Sequence, residues 1–281
     1  MVEDFTGFTP TWCPGCGDWG IGVAIKKALT DLNLKPSSVE IVFDIGCSGN
    51  MNDFLNAYAM HALHGRSIPN AIGIKLANHA MPVLVVGGDG GIYGEGGNHF
   101  LHACRGNHDI TVLVHDNSVY GLTTGQVAPT AQKGMKSKST PEGILEVPVN
   151  PLALALTQGA TFVANAFAGD VNNLIELIKE GVKHRGFSLI NILQPCVTFN
   201  KVNTYQYYLK NIYKLDQNHE KTNYAEALHH AVAVGGERYP IGILYQVAKP
   251  AYHEQLPQLS QQTLVTRSNY RDFNALLKDF T

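Results

Sequence analysis

Between Asp18 and Leu32 apolar side chains return at helical spacing, at Ile21, Ala24, Ile25, Ala28, Leu29 and Leu32. That predicts a helix starting just after the Cys13–Cys16 turn. Val39 to Ile45 is a short β-branched run that stops at Gly46-Cys47-Ser48-Gly49, as a strand entering a turn does. Ile68 to Asn78 predicts a small-residue helix, in which Gly73 would permit close packing. Val83 to Val86 and Ile110 to His115 are apolar without alternation, the pattern of parallel strands covered on both faces. Between them lie a glycine-dense segment, Gly87 to Gly97, and a short helix, Asn98 to Arg105. Further on come a helix at Asn150 to Gln158, a strand at Thr161 to Ala166, an amphipathic helix at Asp170 to Arg185 and a strand at Ser188 to Leu193. Strand and helix alternate with glycine turns between them, so the expected fold is α/β, a doubly wound parallel sheet.

Two stretches break this rhythm. Thr123 to Gly143 has no periodicity and is rich in Thr, Lys, Gly and Pro; loops of that length are functional lids or disordered. Beyond Asn200 the chain is tyrosine-rich and irregular, with one helix expected from Tyr224 to Val234. The expected organisation is one α/β domain over residues 1–200 and a subunit-contacting C-terminal extension over 201–281. The extension is too short and irregular for a second parallel sheet, since one βαβ unit takes about 30 residues.

Composition narrows the function. Twenty-one basic and 23 acidic side chains leave a formal charge of -2, with no cationic surplus to neutralise phosphates, so nucleic acid is not an expected partner. Charged residues are 16% and hydrophobic ones 44%, where ordinary domains carry roughly 25% charged. Much surface should therefore be hidden, in a large core and in subunit contacts. No apolar run approaches the ~20 residues a bilayer span needs, and Met1 to Trp12 lacks the cationic start and apolar core of a signal peptide. The expectation is a cytoplasmic protein with no membrane association. Five cysteines in that setting point to thiolate chemistry or metal and not to a disulfide framework.

The chemistry-bearing residues gather where such a sheet binds ligands, at the carboxyl ends of strands. Gly88-Asp89-Gly90 follows the strand Val83–Val86. Its glycines would let a diphosphate approach the backbone, and Asp89 offers a hard oxygen ligand to Mg²⁺. The next strand runs into Asp116-Asn117, placing a second oxygen, that of Asn117, at the neighbouring strand tip; a main-chain carbonyl, that of Val119, would give a third. GDG alone is equally a tight turn, but GDG followed by about 26 residues (Gly91 to Asp116) and an Asn resembles the diphosphate-binding motif of thiamine-diphosphate enzymes. Cys13-Pro14-Gly15-Cys16 is a knuckle that aims two thiols at one centre. Cys47 and Cys196 both follow strands and share the same sheet edge. Four such cysteines can hold zinc or an iron–sulfur cluster, and the knuckle alone could also be a thioredoxin-like pair. Cys104, inside a helix, reads as a core thiol.

Taken in order, Thr11-Trp12-Cys13-Pro14-Gly15-Cys16-Gly17, Asp44-Ile45-Gly46-Cys47-Ser48-Gly49, His64-Gly65-Arg66, Gly88-Asp89-Gly90, His115-Asp116-Asn117-Ser118-Val119-Tyr120-Gly121-Leu122-Thr123-Thr124-Gly125-Gln126 and Leu193-Gln194-Pro195-Cys196 resemble the β subunit of the 2-oxoacid:ferredoxin oxidoreductases. The resemblance spans roughly residues 8 to 215. It implies a diphosphate-domain fold binding thiamine diphosphate, Mg²⁺ and one [4Fe–4S] cluster. Cys13, Cys16, Cys47 and Cys196 fall where the family ligates the cluster. Asp89, Asn117 and the carbonyl of Val119 fall where it ligates Mg²⁺. Ile45, Gly46, Cys47, Ser48, His64, Gly65, Arg66, Gly90, Gly91, Gly121 and Leu122 fall where it lines the cofactor. The implied reaction is oxidative decarboxylation of a 2-oxoacid with coenzyme A, giving acyl-CoA, CO₂ and reduced ferredoxin. A separate α subunit is implied, carrying the pyrimidine site.

Two positions depart from the family pattern. Gly91 stands where an acidic residue often follows GDG, and Asn50 stands where some members carry a Lys or Arg that could meet a substrate carboxylate. With no charge at Asn50, monocarboxylic substrates such as pyruvate should be used at least as well as 2-oxoglutarate. His64 and Arg66 by themselves read as a turn with a solvated Arg; within this motif order, polar contacts to cofactor or substrate are expected. Lys133, Lys136 and Lys138 read as a solvated face, or as a lid meeting the phosphates of coenzyme A. Two other readings remain open at this point: a non-redox thiamine-diphosphate decarboxylase or carboligase, which leaves the cysteines idle, and a zinc-stabilised binding protein, which leaves the cation motif unexplained.

Overall fold

The computed structural model describes residues 2–216, 218–233, 238–267 and 273–278. The strands are β1 (Glu40–Phe43), β2 (Tyr58–His61), β3 (Val83–Gly88), β4 (Thr111–Asp116), β5 (Val119–Tyr120), β6 (Gln126–Val127), β7 (Phe162–Phe167), β8 (Ser188–Leu193), β9 (Ile212–Lys214) and β10 (Tyr239–Gln246). Eight of them form one sheet in the order β2-β1-β3-β4-β8-β7-β10-β9, parallel except where β10 meets β7; β5 and β6 form a small hairpin. The helices are α1 (Asp18–Asp31), α2 (Met51–Phe54), α3 (Ser67–Ala77), α4 (Gly97–Gly106), α5 (Pro151–Thr157), α6 (Val171–Lys183), α7 (Tyr205–Asn211), α8 (Tyr224–Val232) and α9 (Phe273–Leu277).

Every residue of β4, β7 and β8 is buried, because helices cover both faces. On one face Ile21, Ile25 and Leu29 of α1 and Leu174 and Ile178 of α6 pack on Leu84, Val86, Leu113 and Ile190. On the other, α3, α4, α5 and α8 pack on Val83, Val85, Val112, Val114 and Leu189. Successive strand residues thus serve opposite layers, which is why these runs are apolar without alternation. Side-chain caps set helix starts: Asn150, Asp170 and Asn223 each accept a hydrogen bond from the backbone N–H three residues on, satisfying a donor the helix cannot.

Several expectations change. The position of Gly73 is open, with nothing near where a Cβ would stand, so close packing is not its role. The tract after Asn200 is irregular in its connections, yet it also contributes β9 and β10 to the main sheet. Val234, the expected end of α8, lies outside the described residues. The Thr123–Gly143 stretch is neither a strand nor a helix for most of its length, but Ala128, Ala131 and Met135 within it are buried. Among the described residues no helix is long and apolar enough to cross a membrane.

Candidate active site

Strands β1, β3, β4 and β8 are adjacent and parallel, so the segments leaving their carboxyl ends form one continuous ledge. From β1 comes Asp44, fully buried. It accepts hydrogen bonds from the N–H of Ile45, the N–H of Gly65 and the hydroxyl of Ser67, and from His64 Nδ1 at 2.9 Å. One carboxylate therefore folds the Ile45–Ser48 turn and the His64–Gly65 turn against each other. The other nitrogen of His64 lies 3.2 Å from Glu95, which also accepts from the Tyr120 hydroxyl.

These turns wall a cavity of about 150 Å³. Ile45, Gly46, Cys47, Ser48, His64, Asp89, Gly90, Gly91, Asn117, Val119, Gly121 and Leu122 line it, together with Gly88, Tyr120 and Thr123. Of the residues expected to face a cofactor or substrate, Gly65, Arg66 and Asn50 do not line it. Gly65 turns its N–H to Asp44. The guanidinium of Arg66 is against His99. Asn50 opens α2 behind the Ser48 turn, its N–H donating to the Gly46 carbonyl. Gly91 has a local reason: a Cβ there would sit 2.4 Å from an Asp44 carboxylate oxygen and 3.2 Å from the His64 ring. In this chain an acidic side chain after GDG would displace the anchor of both turns.

At the floor of the cavity Asp89 accepts from the Ser118 N–H at 2.9 Å and from the Thr130 hydroxyl, which also lies 2.8 Å from Asp116. Burial first, and then the charge of Asp116, pushes the Asp89 carboxyl up to about 8; burial also raises Asp116. Two desolvated carboxylates held together by one hydroxyl favour a cation or a shared proton. Asn117 points its Oδ1 to the Val119 N–H and its Nδ2 to Gln194 Oε1. Ser48 Oγ is buried at the cavity wall with no hydrogen-bond partner within the chain, a group prepared for a polar guest.

Of the four cysteines, Cys47 lines this cavity and Cys196 lies behind Gly121 at its wall. A Cβ on Gly121 would stand 3.4 Å from Cys47 Sγ and 3.8 Å from Cys196 Sγ, so the missing side chain keeps the two thiols clear. Burial, then Asp18, then the charges of Cys196 and Cys13 push Cys47 up to about 12; burial, Asp18 and Cys196 raise Cys16. Cys47 thus feels the Cys196 and Cys13 sulfurs, and Cys16 feels that of Cys196. Trp19 Nε1 donates to the Cys13 carbonyl and Trp12 Nε1 to the Cys47 carbonyl, fixing the knuckle against the β1 turn. Gln194 Nε2 reaches Cys16 Sγ at 3.2 Å. A tetrahedral zinc would hold its sulfurs only ~3.8 Å apart. Among the described residues, however, the group of three or more potential ligands lying within 4.8 Å of one another is His219, Glu226 and His230, not the cysteines. Cys104 is fully buried in the opposite layer, beside Phe100 and Val114.

Asp44, Glu95, Thr130 and Gln194 were not anticipated as site residues. Asp44 carries a signal in hindsight, a carboxylate at a strand tip. Thr130 carries none, being one threonine in a loop without periodicity.

The ledge defines a thiamine-diphosphate-binding α/β unit. A family model described as the C-terminal TPP binding domain of thiamine pyrophosphate enzymes matches residues 44–192, and one for the C-terminal part of the pyruvate ferredoxin oxidoreductase beta subunit matches residues 196–261. The chain is 44% identical over 256 residues to the 2-oxoacid:ferredoxin oxidoreductase subunit beta of Saccharolobus solfataricus, covering 87% of this chain and 84% of that one. It is 34% identical over 252 residues to the 2-oxoglutarate synthase subunit KorB of Methanocaldococcus jannaschii, covering 89% and 93%. Its structure superimposes with a TM-score of 0.93 and 36% identity, over 100% of this chain and 96% of the other, on the 2-oxoglutarate:ferredoxin oxidoreductase from Magnetococcus marinus with 2-oxoglutarate, coenzyme A and succinyl-CoA bound. The chain belongs to the β subunits of the 2-oxoacid:ferredoxin oxidoreductase family.

Proposed function

We propose that this subunit holds the diphosphate end of thiamine diphosphate through Mg²⁺ on Asp89, Asn117 and the Val119 carbonyl, and one [4Fe–4S] cluster on Cys13, Cys16, Cys47 and Cys196. The observation that carries the reading is the adjacency of β1, β3, β4 and β8, which sets the buried carboxylate pair on the same ledge as Cys47 and Cys196. The partnerless Ser48 hydroxyl and the side-chain-free approach at Gly121 support it. When bound, thiamine diphosphate supplies a carbon nucleophile and an electron sink. Asp89 would offer a charged oxygen to the cation that neutralises the diphosphate, His64 is oriented by Asp44 and Glu95 at the cavity wall, and the four thiols would give up their protons on taking up a cluster. The net change is a 2-oxoacid and the thiol of coenzyme A to acyl-CoA, CO₂ and one proton, with two electrons passed singly to two ferredoxins.

A cavity of about 150 Å³ is smaller than the roughly 300–1,000 Å³ that encloses a typical ligand, and its rim exposes Ile45 at 37% and Leu122 at 48%. Leu63, next to His64 in the chain, is 78% exposed. This supports a half-site, completed by an α subunit that covers the rim and contributes the pyrimidine and coenzyme A contacts. The test is to purify this chain alone under anaerobic conditions, reconstitute cluster, Mg²⁺ and thiamine diphosphate, and assay viologen reduction with 2-oxoacid and coenzyme A. The expected result is a brown protein with no sustained turnover until the α subunit is added. Turnover by the lone chain would overturn the half-site, and a colourless preparation would overturn the cluster.

A further inference from the structure

We infer that His219, Glu226 and His230 form a second metal site, for a borderline divalent ion such as Zn²⁺, far in sequence from the catalytic ledge. The three residues come from two pieces of chain. His219 lies in the connection between β9 and α8; Glu226 and His230 are one helical turn apart on α8, so their side chains share a face. Their ligand atoms all lie within 4.8 Å of one another. His219 Nδ1 is 3.0 Å, and His230 Nε2 is 3.9 Å, from the same oxygen, Glu226 Oε1. A tetrahedral zinc with bonds of about 2.0–2.1 Å places its ligands ~3.3 Å apart, between those two distances.

The outer contacts point the same way. His219 Nε2 is 2.8 Å from the Leu244 carbonyl of β10, which can only accept, so Nε2 carries a proton. In the singly protonated ring Nδ1 then presents its lone pair to a carboxylate oxygen, an arrangement a cation between them turns from repulsion into ligation. His230 Nδ1 is 2.9 Å from the Tyr213 hydroxyl of β9, leaving Nε2 for the metal. Each imidazole is thus oriented by a hydrogen bond from its other nitrogen, as metal-binding histidines are. The His219 side chain is only 3% exposed while Glu226 is 37% exposed, so an ion would be held from below and open to water above. Two imidazoles and one carboxylate suit zinc and its transition-metal neighbours and not Mg²⁺, which prefers oxygen. Such an ion would fasten the connection before α8 to α8 itself.

The test uses the α–β complex with its cluster in place, dialysed against chelator, re-equilibrated with Zn²⁺ alone and washed. Zinc and iron are then measured per β chain. One zinc is expected in addition to the iron. Glu226→Gln and His230→Gln, both at partly exposed positions, should each lose that zinc with iron unchanged, and weaken Zn²⁺ binding about a hundredfold. Tyr213→Phe should weaken it about tenfold, the scale of a lost outer contact. A wild-type complex that retains no zinc, or variants that retain as much as wild type, would overturn the site.

Discussion

Replacing Asp89 by Asn separates stability from cofactor binding. Asp89 is 1% exposed, and burial followed by Asp116 raises its carboxyl from 3.8 to about 8. The folded value lies above the unfolded one, so the contribution of Asp89 to the stability of the cation-free chain is fully present below about pH 4 and is lost as the pH climbs to about 8. A shift of about 4 units at ~1.4 kcal/mol each puts the whole loss on the order of 5 kcal/mol, shared with Asp116. In Asp89→Asn an amide oxygen still accepts from the Ser118 N–H, position 89 no longer ionises, and Asp116 loses the neighbouring charge. The variant should therefore match wild type near pH 4 and surpass it near pH 8 by several kcal/mol, a Tm gain of about 5–10 °C for a chain this long. Mg²⁺ with thiamine diphosphate should narrow the gap at pH 8 and put wild type ahead near pH 4. Wild type would gain about 2.7 kcal/mol at a hundredfold excess over Kd, while the variant gains little. Thermal unfolding at the two pH values, with and without ligands, reads all four states. Parallel Tm curves for the two proteins, or equal stabilisation of both by ligands, would refute the reasoning.

Cys13→Ser or Cys196→Ser should lose iron and visible colour from the anaerobic protein, while Cys104→Ser, altered in the far layer, keeps both; iron analysis decides, and iron loss in Cys104→Ser alone would show that the wrong four thiols were chosen. No Lys or Arg lines the cavity, so pyruvate should be turned over by the α–β complex at least as well as 2-oxoglutarate. A strict preference for the dicarboxylate in competition assays would mean that the partner subunit supplies the cation.

The sheet was legible wherever burial on both faces left a mostly apolar run, as in β3 and in β7 and β8, which Asn165 and Asn191 interrupt only once each. It was hidden where that signal fails. The residues of β2 are all exposed, and an edge strand without a buried face has no pattern to read. In β10, Pro240 and Gly242 look like punctuation. Pro240 needs no donor in its pairing with β9, and Gly242 takes φ +135° just before a register shift against β7. The proposed cation and thiol positions stand out because they sit at strand tips with distinctive residue types, and Asp44 carries the same signal. Thr130 does not, because its role comes from what it touches across the fold.

Gln194 has a kinetic consequence. Its side chain accepts from Asn117 at 2.6 Å and donates to Cys16 at 3.2 Å, and it stands on backbone locked in register, its own N–H bonded to the Asp116 carbonyl. Neighbouring strands in a sheet keep a pitch of about 4.8 Å, so groups on adjacent tips cannot drift apart without breaking the ladder. Tunnelling rates fall steeply with distance, and here the span between the proposed cofactor cavity and the thiols is set by strands bonded in register. In the proposed reaction the electron needs no moving arm to reach its acceptor. Solvent viscosity should therefore slow the entry and exit of substrates at the subunit rim, and leave the passage of electrons between the two centres untouched.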